Sequence, residues 1–290
     1  MEKVLVMGGD SRQYYVAEAL QKNGYCVCCY GVPIKEKGKL EILKTTALKM
    51  QMGEADIIVL PIPVSVDGKT IKQETADDVV LLSELYENLK EGQKLYGGLF
   101  SEQLIQTCKE KGALFYDLMK DESVAIGNAI ATAEGAVVEA MMLGEETLHG
   151  KECLVIGYGK CGSVLADKLK GLQAKVTVMA RNAVSRTKAR AMGYEVREMF
   201  ERGDGQPEKY TYVFNTVPAL VLTEQILSRF DSNVVIIDIA SKPGGTDFDY
   251  CRYVGIKAKL SLGLPGKYAP KTSGEILAEA VMSQFSKNCI

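Results

Sequence analysis

The sequence predicts an α/β protein made of two tandem, doubly wound parallel-sheet domains with a cleft between them. Three observations lead there. Short apolar runs alternate with longer amphipathic segments along the chain, the pattern of a parallel sheet covered by helices. One small-residue segment, 121–143, interrupts that alternation, which starts again at Lys151. The length, 290 residues with 47% hydrophobic and 25% charged residues, suits two ordinary domains with full cores.

In the first block, 3–7, 25–30, 56–61, 94–97 and 114–116 read as strands, and 13–22, 41–52, 76–89 and 101–111 as the helices between them. Pro61 and Pro63 end the third strand, because proline lacks the N–H a ladder needs. The segment 121–143 carries Ala125, Gly127, Ala129, Ala131, Ala133, Gly135 and Ala136, and reads as a long, closely packed helix ended by Gly144 and Gly150. In the second block, strands are expected at 152–156, 175–179, 195–197, 212–215, 234–238 and 256–260. Helices are expected at 162–170, 186–192, 223–230 and 275–285, with a polar loop at 201–209. The expected division is 1–118 and 119–290, with the C-terminal helix free to pack back on the first domain.

Composition removes several functions. With 35 Lys+Arg against 37 Asp+Glu there is no basic footprint for nucleic acid or an anionic membrane. His149 is the single histidine, which excludes multi-histidine metal sites. Lying just before the expected cofactor strand, it reads as a surface or hinge residue, which disfavours the His–acid proton relay of 2-hydroxy-acid dehydrogenases. Eight cysteines show no C-x-x-C spacing, and Cys26, Cys28 and Cys29 read as small hydrophobes in a strand. Neither a signal-peptide core nor an apolar run of membrane-spanning length is evident, so a reduced, cytoplasmic protein is expected. A G-x-S-x-G elbow and a P-loop are both missing.

Gly157-Tyr158-Gly159-Lys160-Cys161-Gly162 is a G-x-G-x-x-G that directly follows an expected strand and opens an expected helix. In that context the glycines allow a tight turn, close approach of a pyrophosphate, and close helix–strand packing, which makes the second domain Rossmann-like. The next strand ends in Ala180-Arg181-Asn182, without the acid that bonds the ribose hydroxyls of NAD. Arg181 suits a 2′-phosphate instead, so NADP is expected, with NAD as the alternative. Loops at other strand ends complete the expected crevice: Asn215-Thr216-Val217-Pro218 and Asp238-Ile239-Ala240-Ser241-Lys242-Pro243-Gly244-Gly245 in the second domain. In the first they are Gly8-Gly9-Asp10-Ser11-Arg12-Gln13, Pro61-Ile62-Pro63-Val64-Ser65 and Gly97-Gly98. The Gly8 loop reads either as an anion site using Ser11 and Arg12 or as a turn with Asp10 or Ser11 capping a helix. The stretch 263–274, with two prolines, three glycines and Lys267 and Lys271, is expected to hold a fixed, non-regular path. Either lysine is placed to meet a carboxylate or the nicotinamide-side ribose.

These segments resemble the dipicolinate synthase A-subunit family nearly end to end. The resemblance rests on the Gly8 loop, Asn128-Ala129-Ile130-Ala131-Thr132-Ala133-Glu134-Gly135-Ala136, the Gly157 loop, Asn215–Pro218, the run from Asp238 to Phe248, and the run from Gly263 to Thr272. Ala131 departs from it, standing where the family has proline. The resemblance implies NADP-dependent oxidation of a dihydrodipicolinate, formed by loss of water from 4-hydroxy-tetrahydrodipicolinate, to dipicolinate. It also implies a partner, the flavoprotein B-subunit of dipicolinate synthase, and a place in the cytoplasm of the mother cell of a sporulating bacterium. A small dicarboxylate needs cationic or N–H-rich ends, for which Arg12, Lys242, Lys267 and Lys271 are candidates, with Ser11, Ser65, Asn128 and Thr132 beside them. Glu134 and Lys267 are the candidate catalytic groups, and self-association stays open. Two other readings stand: a stand-alone dehydrogenase of the 2-hydroxy-acid or shikimate type, and a non-catalytic nucleotide sensor or flavoprotein scaffold.

Overall fold

The computed structural model describes residues 1–33, 40–42, 45–75, 78–199 and 207–287. It divides into two units: Met1–Gly127 with Ala269–Ile290, and Asn128–Tyr268.

Unit one runs β1 (Lys3–Met7), α1 (Ser11–Lys22), β2 (Cys26–Tyr30), β3 (Glu41–Ile42), α2 (Thr45–Glu54), β4 (Ile57–Val59), α3 (Leu82–Asn88), β5 (Lys94–Gly97), α4 (Glu102–Lys111) and β6 (Leu114–Asp117). Its strands are all parallel in the order β3-β2-β1-β4-β5-β6. Val4, Leu5, Val6 and Met7 are all fully buried, because a parallel strand covered on both faces needs apolar side chains on both. Ser101 caps α4 by accepting from the Leu104 N–H, and Gly112 ends it in the left-handed region at φ +69°. Glu41–Ile42 is strand where a helix is expected, and of the described residues 78–89 in the expected helix 76–89 only Leu82–Asn88 are helical. Residues 43–44, 76–77 and 201–206, on which parts of those expectations fall, lie outside the described residues.

The long helix α5 (Glu122–Leu143) carries the chain out of unit one, and the units divide after Gly127 rather than near residue 118. Its small residues serve close packing: a Cβ on Gly135 would stand 2.9 Å from Leu264 Cβ. At a mean hydropathy of 1.2 over 18 residues it is long and apolar enough to cross a membrane, against expectation, yet 44% of that window is buried within the protein.

Unit two runs β7 (Glu152–Ile156), α6 (Lys160–Gly171), β8 (Lys175–Met179), α7 (Ala183–Ala191), β9 (Glu195–Arg197), β10 (Tyr212–Asn215), α8 (Glu224–Leu227), β11 (Val235–Asp238), α9 (Phe248–Val254), β12 (Lys257–Leu260) and α10 (Leu264–Tyr268). Its order, β12-β11-β10-β7-β8-β9, repeats that of unit one, with strand succession reversing between β7 and β10. This is the doubly wound arrangement that binds ligands outside the carboxyl ends of the strands at the reversal.

The stretch expected to be non-regular is helical instead. Pro265 and Pro270 fall in the first turns of α10 and of α11 (Pro270–Lys287), where a missing N–H costs nothing and the fixed φ suits a helix. α11 belongs to unit one, where Leu277, Ala278 and Val281 join the core of Val4, Val6, Tyr14, Ala17 and Leu20. Burying Leu277 and Val281 stabilises by roughly 1.5–3 kcal/mol each.

Candidate functional site

The glycine loop and its neighbours enclose a cavity of about 700 Å³ in unit two. Gly157, Tyr158, Gly159, Lys160 and Cys161 line one side, Arg181 and Asn182 the end of β8, and Thr216, Val217 and Pro218 the loop after β10. Ten of the residues expected to hold a dinucleotide thus surround one space. Gly157 has φ +93°, and a Cβ there would stand 2.3 Å from Thr216 Oγ1. Among the described residues a Cβ on Gly159 would meet nothing within 4 Å, so the loop's middle glycine leaves room at the start of α6. Gly159 gives α6 no side-chain cap, and the start of a helix is where N–H groups and the helix dipole meet an anion. The residues present fit a pyrophosphate.

Gly162 does not line the cavity; it packs against the backbone of Gly157. Ile239 also stands off it, its N–H donating to the Asn215 carbonyl at 2.9 Å. Asn182 caps α7 by accepting from the Val184 N–H at 2.7 Å, so the helix begins three residues earlier than expected. Arg186 is held by the carbonyls of Ala180 and Arg181 and by Glu198, leaving exposed Arg181 as the guanidinium that borders the space. Ser185 and Met199 line it too, and sequence reasoning missed both. Burial pushes the Cys161 thiol up, keeping it protonated at neutral pH.

Behind the 216–218 wall, fully buried Asp238 accepts from the Ala240 N–H (3.0 Å), the Gly245 N–H (2.8 Å) and the Thr246 hydroxyl (2.7 Å). A Cβ on Gly245 would stand 2.6 Å from the Val217 carbonyl oxygen, so this turn abuts the wall directly.

The other candidates scatter. Glu134 is half-exposed and paired with Lys168 at 2.8 Å, away from the glycine loop's cavity. Lys267 is not free to meet a ligand alone: with Lys259 and the Tyr268 hydroxyl it donates to Glu139, which is 3% exposed. Thr132 donates to the Asn128 carbonyl within α5, while Asn128 Oδ1 is buried without a partner among the described residues. Lys242 is exposed in unit two, and Lys271 is exposed on the first turn of α11 in unit one. Ser65 is engaged in a turn around Asp67. Burial pushes the thiols of Cys28 and Cys29 up, to about 11 and about 12, which suits packed, neutral side chains.

In unit one Asp10 caps α1, accepting from the Arg12 N–H at 3.1 Å, as the second reading of that loop expects. Arg12 grips the same carboxylate with Nε (2.8 Å) and Nη2 (2.7 Å), and Ser11 occupies the first helical position. Burial pushes the Asp10 carboxyl up, but the hydrogen bonds and charge of Arg12 outweigh it and hold it below the usual range. Lys72 Nζ lies 3.7 Å from Asp10 Oδ2. Sequence reasoning missed Lys72, because nothing near it in the chain marks it.

Two parallel sheets of this order, one with a cavity at its glycine loop, define a protein of the Rossmann-type dehydrogenase fold. Residues 3–119 match the N-terminal domain of the dipicolinate synthase A-subunit, and residues 147–250 match a family described as "Putative NAD(P)-binding". The crystal structure of the dipicolinate synthase A-subunit from Bacillus halodurans is 32% identical, with a TM-score of 0.87, covering 98% of this chain and 97% of that one. The chain belongs to the dipicolinate synthase A-subunit family. The dipicolinate synthase A-subunit of Bacillus subtilis (strain 168) is 29% identical over 283 residues, 96% of this chain and 94% of the relative. A transhydrogenase from Sinorhizobium meliloti shares the fold, at 15% identity and a TM-score of 0.67, covering 100% of this chain and 93% of that one.

Proposed function

We propose that this chain is the nicotinamide-nucleotide subunit of a dipicolinate synthase, oxidising a dihydrodipicolinate to dipicolinate with NADP. The observation that carries the reading is end-to-end similarity to the dipicolinate synthase A-subunit, together with a nucleotide cavity built from this chain's own glycine loop. When bound, the nicotinamide supplies a hydride acceptor, and the ring's second hydrogen leaves as a proton. The chain's residues bind and orient: Gly159 and the first turn of α6 take the pyrophosphate, and Arg181 with Ser185 takes the 2′-phosphate. Aromatisation of the product drives the step, so the protein's main contribution is to hold the diacid in place. The relatives are named as one subunit of an enzyme, which supports action together with a second subunit. That this subunit is a flavoprotein, and that both work in the cytoplasm of a sporulating cell, is part of the proposal and follows from the resemblance alone.

The test follows dipicolinate absorbance after mixing the chain, NADP and the condensation product of pyruvate and aspartate semialdehyde, with and without the flavoprotein. Product with the partner present is expected. No product in any mixture, despite tight nucleotide binding, would overturn the enzyme reading in favour of a sensor.

A further inference from the structure

Gly8 and Gly9 hold φ of +60° and +85°, and a Cβ on Gly8 would stand 2.4 Å from the Lys72 carbonyl oxygen. Two glycines are needed here because the segment after β4 closes directly on the β1 loop. The Gly9 N–H donates to the Lys72 carbonyl at 2.7 Å, the Lys72 N–H to the Val64 carbonyl at 2.8 Å, and the Glu74 N–H to the Gly9 carbonyl at 3.2 Å. This closure brings Lys72 to the carboxylate that Arg12 already grips.

Among the described ion pairs there, the charges do not cancel. Asp10 answers Arg12, and Lys72 remains as a surplus cation beside them. Arg12 also gives Nη2 to the Ile62 carbonyl at 3.0 Å, while its Nη1 has no partner among the described residues. Asp10 and Arg12 are each less than a tenth exposed, and the Lys72 side chain is 27% exposed, so the cation stands at the edge of a buried ion pair with part of its length open to solvent. It lies at the carboxyl end of β1, next to the reversal between β1 and β4, where open sheets bind ligands. A partly buried ammonium beside a guanidinium N–H that no described residue takes suits a carboxylate, since charge-assisted bonds to both are the strong ones.

We propose that Lys72 and Nη1 of Arg12 together bind a carboxylate of the small-acid ligand, with Asp10 as the positioning residue that fixes Arg12. Arg12 therefore acts through one nitrogen rather than its whole fork, and Lys72 supplies the charge. The identity of the acid rests on the function proposed above; the presence of a carboxylate site does not.

The experiment titrates the full chain, loaded with NADP, with pyridine-2,6-dicarboxylate and separately with pyruvate, by calorimetry. Lys72→Met is expected to weaken the diacid at least tenfold, and Lys72→Arg to recover part of the loss. NADP affinity and melting temperature, unchanged in both variants, show that they fold. Diacid binding as tight in Lys72→Met as in the unaltered chain overturns the site and leaves the substrate reading standing. Lys72-dependent pyruvate binding without diacid binding keeps the site and overturns that substrate. An unaltered chain that binds neither acid overturns both.

Discussion

A Cβ on Gly162 would stand 2.2 Å from the carbonyl oxygen of Gly157, whereas one on Gly159, three residues earlier, would touch none of the described residues within 4 Å. The two glycines thus answer different demands, packing in one case and ligand approach in the other. Gly162→Ala forces α6 away from β7 and is expected to lower stability by about 1–3 kcal/mol, the usual cost of overpacking. Gly159→Ala keeps its φ of −87°, which any residue adopts, and is expected to melt like the unaltered chain. Its methyl group would stand in the cavity and weaken nucleotide binding by about tenfold, or ~1.4 kcal/mol. Thermal melts and nucleotide titrations check the pair; equal behaviour of the two variants would contradict the assignment.

Arg181 ends β8 where NAD sites place an acid, and it is exposed at the cavity's edge. Loss of its charge-assisted bonds to a 2′-phosphate corresponds to about 1.5–3 kcal/mol. Arg181→Asp is therefore expected to lower the NADP-to-NAD affinity ratio by about 10–100-fold. Dissociation constants for both nucleotides, measured at one salt concentration, decide it, and an unchanged ratio sinks the preference.

Glu139 accepts from Lys267 at 2.6 Å, from Tyr268 at 2.8 Å and from Lys259. Burial pushes its carboxyl up, but the hydrogen bonds of these three donors and the charge of Lys259 hold it at about 2. A folded-state value below the unfolded one stabilises in full above about pH 4.5, and the contribution disappears as pH falls toward 2. With both lysines partly in solvent, the contribution is on the order of 1–2 kcal/mol. Denaturant melts between pH 6 and pH 3 should show the unaltered chain and Glu139→Gln converging in acid. A gap that stays constant with pH would mean Glu139 stabilises through packing alone.

The sheets and the gathering of the Gly157 loop with the ends of β8 and β10 around one cavity were legible in the sequence because their signals are local. Val4–Met7 and Cys153–Ile156 are unbroken apolar runs, and the Gly157 loop follows its strand without a gap. The 263–274 stretch misled because proline is read as a breaker, although in a helix's first turn it is a starter. α9 was missed because Phe248–Val254, barely two turns of aromatic and charged residues, shows no apolar period. Lys72 and Glu139 were invisible as partners for another reason. Their roles exist only after Gly8 meets Lys72, or α5 meets β12, and sequence spacing carries no trace of such contacts.

Asp238 gives the last expectation. Its carboxylate is fully buried and takes three donors, two of them from the turn whose Gly245 abuts the Val217 carbonyl. In Asp238→Asn one oxygen becomes an NH₂ facing N–H or O–H donors, so at least one buried donor loses its acceptor. That loss costs about 1–3 kcal/mol and frees the turn to move. Because the turn backs the 216–218 wall, nucleotide affinity should fall along with stability. Thr246→Val removes a single hydroxyl donor and keeps the carboxylate, so it should lower the melting temperature less and leave nucleotide affinity within about twofold. Calorimetric binding and melting of both variants separate the cases. Asp238→Asn with full nucleotide affinity would show that the wall stands without its backing turn.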